Sequence, residues 1–289
     1  MLVRPRRSAL YLPATNARAL EKARTLSCDV VVLDLEDSIA PEAKAEARLA
    51  ACEAVRAGGF GARELVVRIN ALDTPWGAAD LGAVAGAQPD ALLVPKLSDP
   101  EDLPAYAAAL GGKTRLWGMI ETCKAVLRLD ALGAAAAANR MEGWILGLND
   151  LAMEMGCRPG ADRAPLQAAM SLAVTAARAH GLFVLDAVYN DFSDAEGLAR
   201  ECAQGVAFGF DGKSLIHPAQ IAAANAAFSP DPEALAWARQ VVRAFDAPES
   251  AGRGVIKVDG KMVERLHLEQ AQRLIALSDA IAVREGSPE

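Results

Sequence analysis

Short apolar runs recur along this chain and alternate with longer, Ala-rich stretches of helical character. Runs at Ser8–Pro13, Asp29–Leu35, Leu65–Asn70, Ala91–Pro95, Leu116–Ile120, Gly143–Gly147, Leu182–Val188 and Val206–Phe210 read as strands. Several are continuously apolar rather than alternating, the mark of strands covered on both faces of a parallel sheet. Between them the pattern predicts helices at Asn16–Leu26, Pro41–Ala57, Trp76–Ala85, Pro100–Leu110, Lys124–Asn139, Pro165–His180 and Asp194–Ala203. Asn16, Asp99 and either Ser193 or Asp194 stand where N-caps belong, and Pro41, Pro100 and Pro165 fall near first turns. Eight alternating βα units predict an α/β fold closed as a (β/α)8 TIM barrel rather than an open sheet.

The pattern changes near residue 218. Pro218–Phe228 and Glu233–Phe245 read as helices, Ala247–Gly260 as an irregular segment with a short hairpin around Val255–Val258, and Val263–Arg284 as a last amphipathic helix. The expected organisation is a barrel over residues 1–228 and a C-terminal helical appendage, or lid, over 229–289. The recurrence is one of pattern, with no fixed sequence repeat.

Composition narrows the class. The chain has 289 residues, 52% of them hydrophobic and 23% charged, enough for a large core. A net charge of −7 gives no basic field for nucleic acid, and Arg4, Arg6 and Arg7 are too few to change that. The apolar run Ala9–Leu12 is too short for a signal peptide, and no stretch nears the ~18 residues of a membrane span. Five scattered cysteines without a CxxC suit reduced thiols, so a cytoplasmic protein is expected.

Charged residues cluster at the ends of the apolar runs. Leu116–Ile120 ends on Glu121, and Trp144–Leu148 on Asn149 and Asp150. Carboxylates at the C-terminal ends of barrel strands can hold a hard divalent cation such as Mg²⁺ or Mn²⁺, which takes one or two protein carboxylates and leaves its other positions to water and substrate. The plainer alternative is that each caps a helix or pairs with a lysine. Asp34, Glu36 and Asp37 close the second run; such crowding demands a cation or donors, with Lys44 and Arg48 as candidate partners. Arg68 ends the third run beside Asn70. It can grip a substrate carboxylate or stabilise an enolate oxygen, or it can serve as an ion-pair partner of the acidic cluster. Lys96 follows the fourth run. Gly212-Lys213-Ser214 resembles the end of a P-loop, but Ala207 stands where its first glycine is required. His180, His217 and His267 show no metal-ligand spacing, and neither HExxH nor GxSxG occurs. Cys123 reads as a small buried hydrophobe.

Taken in order, Arg7-Ser8-Ala9-Leu10-Tyr11-Leu12-Pro13, Leu33-Asp34-Leu35-Glu36-Asp37-Ser38 with Lys44 and Arg48, Val67-Arg68-Ile69-Asn70, Val94-Pro95-Lys96, Ile120-Glu121-Thr122, Gly147 to Leu151 and Gly209 to Ile221 resemble the citrate lyase β-subunit-like family of CoA-ester lyases, within the HpcH/HpaI aldolase superfamily. The resemblance implies a barrel assembled as homotrimers or hexamers, with Mg²⁺ held by Glu121 and Asp150. It puts Arg68 on the 2-oxo acid or reacting carbonyl, with Asn70 and Lys96 as further substrate contacts. Arg7, Thr15, Asn16 and Lys22 would lie near the CoA phosphates, and Glu36, Asp37 and Glu264 join Arg68 as candidate catalytic groups. The implied reaction is reversible C–C cleavage of a 3-hydroxyacyl-CoA such as malyl-, citramalyl- or citryl-CoA into an acyl-CoA and a 2-oxo acid.

Two departures bear on this. Relatives often carry G-x-M-[IV]-D-x-P on a lid that reaches a neighbouring subunit's site, and this chain reads Gly260-Lys261-Met262-Val263-Glu264-Arg265-Leu266. Glu264 keeps the charge but moves it by about one methylene. Pro13-Ala14 also stands where many relatives have Pro-Gly. The alternatives are a malyl-CoA thioesterase, a class II aldolase on free acids, a β-subunit of a multienzyme citrate lyase, and a catalytically weak binding protein.

Overall fold

The computed structural model describes residues 4–286. They divide into two compact units, one spanning Arg6–Phe228 and the other comprising the residues from Ser229 onward together with Arg4 and Pro5.

The first unit is a closed barrel of eight parallel strands in sequential order. Strands and helices alternate as β1 (Ser8–Pro13), α1 (Ala17–Ala23), β2 (Val30–Asp34), α2 (Lys44–Ala57), β3 (Glu64–Arg68), α3 (Gly77–Ala87), β4 (Ala91–Val94) and α4 (Leu103–Ala109). There follow β5 (Arg115–Ile120), α5 (Cys123–Leu127), α6 (Leu129–Ala136), β6 (Met141–Leu146), α7 (Leu148–Met155) and α8 (Gln167–Ala179). β7 (Phe183–Asp186), α9 (Ala195–Phe208), β8 (Gly212–Leu215) and α10 (Ile221–Ala227) complete the unit.

The unbroken hydrophobicity of the strands follows from this geometry. Val30, Val32 and Val66 pack inside the barrel with Leu93, Trp117 and Ile145, while Val31, Leu33, Val67 and Leu92 pack outward against the helices. Both faces of each strand are therefore dry, and period-two alternation disappears. Asn16 and Asp194 cap α1 and α9 by accepting from the Ala19 and Gly197 amides. Pro41 and Pro100 open single 3₁₀ turns before α2 and α4, and Pro165 lies in the one before α8. Asp99 makes no cap. Its carboxylate pairs instead with Lys124 and Arg128.

Ion pairs staple the N-terminal end of the barrel. Arg6 reaches Glu64 at 2.7 Å and Glu142 at 2.9 Å, and its guanidinium carbon lies 4.1 Å from the Phe183 ring centre. Arg7 is 3% exposed and grips Asp29 through Nε at 2.9 Å and Nη2 at 3.0 Å. It precedes β1, at the end of that strand away from Pro13. The expectation that it meets CoA phosphates is therefore corrected: a buried, carboxylate-bound guanidinium at the foot of the barrel is a structural staple.

Several elements differ from the sequence pattern, among them the helix expected over Lys124–Asn139, which breaks at Arg128 into α5 and α6. The eighth strand is Gly212–Leu215, not Val206–Phe210, because Val206–Phe208 continues α9 to a left-handed Gly209 (φ 91°). The strand escapes a hydropathy reading because Lys213 and Ser214 are polar yet fully buried. Lys213 Nζ donates to Asp186 (3.0 Å), Glu201 (2.8 Å) and the Ala187 carbonyl (2.7 Å). In addition, α7 occupies residues read as a strand end and loop, which places Asp150 in the first turn of a helix.

The second unit holds α11 (Pro232–Asp246), the antiparallel pair β9 (Val255–Val258) and β10 (Lys261–Glu264), and α12 (Arg265–Gly286). Asp259 and Gly260, both at positive φ, form the Asp-Gly turn of the hairpin. Ala238, Val241, Ile256, Val258, Val263 and Ala271 form a separate small core. Val263 and Glu264 belong to the strand, so the last helix starts at Arg265. No helix among the described residues is long and apolar enough to cross a membrane.

Candidate active site

Asp34 and Arg68 face each other in register at the C-terminal ends of β2 and β3. Arg68 Nε donates to Asp34 Oδ1 at 2.7 Å and Nη2 to Oδ2 at 2.8 Å, a two-pronged pair. Nη1 lies 2.8 Å from Glu36 Oε2 and 3.1 Å from Asp37 Oδ2. Burial works to raise the Asp34 carboxyl, but the Arg68 charge and the bonds from Arg68, Ser38 and the Glu36 amide outweigh it, and the group titrates below its ordinary range. Glu36 ends up raised: its desolvation outweighs Arg68 and Lys96, even though Lys96 Nζ reaches Oε1 at 2.9 Å. Arg68 thus pairs with the acidic cluster, the plainer of its two sequence readings, and does so on the barrel rim.

Lys44 and Asn70 stand behind this cluster. Lys44 Nζ donates to the carbonyls of Leu35 and Glu36 and to Asn70 Oδ1. Asn70 Nδ2 donates to the Leu35 carbonyl and to Asp80. Asn70 is 2% exposed and its amide is committed, so its expected substrate contact is corrected to a positioning role. Arg48 pairs with Asp80, not with the acidic cluster.

Glu121 follows β5 and is 1% exposed. Its Oε1 accepts from the Lys96 amide at 2.7 Å, an N–H aimed by a left-handed Lys96 (φ 50°). Burial first, then the Glu36 charge, pushes the Glu121 carboxyl up to about 7. Asp150 adds to that repulsion from the first turn of α7. Gly147, which opens this helix, leaves room for the Glu121 side chain: a Cβ there would lie 2.4 Å from Oε2. By helix geometry the amides of Leu148, Asn149 and Asp150 lack intrahelical acceptors and favour an anion.

A cleft of about 370 Å³ opens on this rim, lined by Tyr11, Asp34, Asp37, Arg68, Met119, Asn149, Asp150 and Ser214 among others. Five carboxylates (Asp34, Glu36, Asp37, Glu121, Asp150) meet two cations at the rim, Arg68 and Lys96. A buried Glu121 held by one amide, facing further carboxylates, is the environment a divalent cation relieves. No group of three or more His, Cys, Asp or Glu side chains in a metal-holding arrangement exists among the described residues. Mg²⁺ takes one or two protein carboxylates and leaves its other positions to water and substrate, and Glu121 and Asp150 would supply those two.

The remaining expected residues fall elsewhere. Thr15 and Asn16 follow β1 at the rim, and Lys22 lies in the last turn of α1; all three are exposed. Glu264 ends β10 of the second unit, with its amide donating to His267 Nδ1 at 2.9 Å. Tyr11, Met119, Gly147 and Asn149 were given no site role on sequence alone. The first two are inward-facing residues of strand patterns that look purely structural; Gly147 and Asn149 adjoin Asp150 and were within reach.

Residues 7–218 match the family model for HpcH/HpaI aldolase/citrate lyase. The chain belongs to that family. This enzyme family member is 47% identical to a (3S)-malyl-CoA thioesterase of Cereibacter sphaeroides over 98% of both chains. It is 32% identical to an L-malyl-CoA/β-methylmalyl-CoA lyase of the same species over 96% of both. Among solved structures, CitE of Mycobacterium tuberculosis in complex with magnesium, acetoacetate and coenzyme A aligns with a TM-score of 0.78, 30% identity, and coverage of 96% of this chain and 100% of that one. The family and the barrel agree with the sequence reading.

Proposed function

We propose that this family member is a Mg²⁺-dependent enzyme acting on a malyl-CoA-type thioester, and that it releases free CoA by hydrolysis. The observation that carries the metal-dependent site is Glu121, a buried carboxyl at the end of β5 that feels the Asp150 charge, while Asp150 and Arg68 line the cleft on the same end of the barrel. The choice of hydrolysis is supported by 47% identity over nearly the full length to a relative named for that activity. The lyases are matched at 32%, so C–C cleavage, the outcome first expected from the sequence, is kept as the second reading.

The bound cation would polarise the substrate oxygens it contacts. Arg68, fixed by Asp34, presents positive charge to a developing oxyanion without reorganising. The first-turn amides of α7 can receive a substrate carboxylate. For hydrolysis, water must lose a proton to a carboxylate and add to the thioester carbonyl. The C–S bond then breaks, and CoA departs as a thiolate that is protonated to the thiol. Thr15, Asn16 and Lys22 are exposed where a CoA chain can run, and Glu264 stays a candidate acid–base group on the family resemblance alone. Assembly as a homotrimer or hexamer and a cytoplasmic location belong to the same proposal; free thiols at all five cysteines support the latter.

The test is to incubate purified protein with (3S)-malyl-CoA, with Mg²⁺ or EDTA, and to quantify free thiol, malate and glyoxylate separately. Mg²⁺-dependent thiol and malate without glyoxylate supports hydrolysis. Glyoxylate with acetyl-CoA moves the enzyme to the lyase reading. No product with Mg²⁺ bound overturns both.

A further inference from the structure

Tyr11 is the fourth residue of β1, and its ring packs against the barrel interior. The Arg68 guanidinium carbon lies 5.0 Å from its ring centre. The hydroxyl points to Met119 Sδ at 3.8 Å, and Arg68 Nη1 reaches the same sulfur at 3.6 Å. Tyr11, Arg68 and Met119 all line the cleft. A phenol O–H and a guanidinium N–H therefore converge on one soft atom of the cleft wall, and a thioether is a weak acceptor. Neighbouring donors are engaged otherwise: Lys44 and Asn70 are bound to carbonyl and carboxamide or carboxylate oxygens. Arg68 Nη1 also has Glu36 Oε2 at 2.8 Å and Asp37 Oδ2 at 3.1 Å, so the phenol, which donates to the thioether, is the donor that gains by exchanging sulfur for a charged oxygen.

We propose that the Tyr11 hydroxyl is a substrate-contacting hydrogen-bond donor which, beside the Arg68 guanidinium, receives a negatively charged ligand oxygen. The Met119 sulfur holds the phenol in place, while Asp34, Glu36 and Asp37 hold Arg68. The inference rests on reading this cleft as the substrate site. Burial, reinforced by Asp34, Glu121 and Glu36 and opposed by Arg68, keeps the phenol protonated far above neutrality, so it donates and does not act as a base.

If Tyr11 served only to pack β1, phenylalanine would replace it without consequence. The experiment is a calorimetric titration of oxalate, a small anion with carboxylate oxygens, into Mg²⁺-loaded wild type and Tyr11→Phe. The near-ultraviolet tyrosine difference spectrum is followed in parallel, with Tyr106→Phe and Tyr189→Phe as spectral controls. The chain has only these three tyrosines. Loss of one bond to a charged oxygen is expected to raise the oxalate Kd about tenfold in Tyr11→Phe. The difference spectrum is expected to vanish in that variant alone, with the thermal midpoint little changed. Equal affinities, a spectrum that survives in Tyr11→Phe, or no oxalate binding by wild type would overturn the inference. Thioester turnover by wild type is scored separately: oxalate binding that depends on Tyr11 in a protein inert toward malyl-CoA would overturn the proposed function and leave this inference standing.

Discussion

No side chain fits between Gly147 and Glu121. A Cβ built on Gly147 would lie 2.4 Å from Glu121 Oε2 and 2.5 Å from its Cβ. Gly147 has φ −104°, a conformation open to any residue, so the glycine is required by crowding and not by backbone freedom. Gly147→Ala is therefore expected to fold but to turn the Glu121 carboxylate away. Misplacing a ligand in this way typically weakens metal binding by ~10–100-fold. Mg²⁺ titration of the variant against wild type checks this; unchanged affinity would show that Glu121 is not a ligand.

Glu121 also predicts a pH dependence of the metal-free protein. Its carboxyl is raised to about 7 in the fold, whereas an unfolded glutamate titrates near ~4.3. Between these values the folded state binds more protons, so this group's contribution is present at low pH and is lost as pH rises through about 7. Relative to wild type, Glu121→Gln in EDTA should gain stability across that window, by an upper bound of about 4 kcal/mol. Urea midpoints of both proteins from pH 4 to 8 read the difference. Parallel curves would mean that the buried carboxyl is not raised.

Lys213 tests the opposite face of burial. It is fully buried on β8, with Asp186 and Glu201 as its charged partners. Removing one member of such a network leaves an uncompensated charge and costs ~3–5 kcal/mol. Lys213→Ala is expected to lower the unfolding free energy from denaturant melts by that amount. A change under ~1 kcal/mol would show that Asp186 finds compensation from Arg163, which also pairs with it at 2.7 Å.

The barrel was legible because its strands are apolar on both faces, and runs such as Val30–Leu33 announce that without an alignment. Where a strand is polar, the signal fails: Gly212–Leu215 looks like a loop until Lys213 is seen inside its network. The charged rim was legible for a similar reason, since Glu121 and Arg68 end apolar runs abruptly. What sequence spacing could not give was commitment. Asn70 and Arg7 look as available as Arg68, and only three-dimensional contacts show them bound to Asp80 and Asp29 away from the cleft, whereas Arg68, though paired with Asp34, lines it. Tyr11 and Met119 were hidden by the opposite effect, because hydrophobic strand residues on a barrel interior read as core.

Binding of Mn²⁺, as a paramagnetic stand-in for Mg²⁺, to wild type, Glu121→Ala and Asp150→Ala tests the central claim most directly. Electron paramagnetic resonance of free Mn²⁺ counts sites without reference to any substrate. We predict one site per chain, competed by Mg²⁺ and lost in both variants. Retention of the same site in Glu121→Ala or Asp150→Ala would contradict the account.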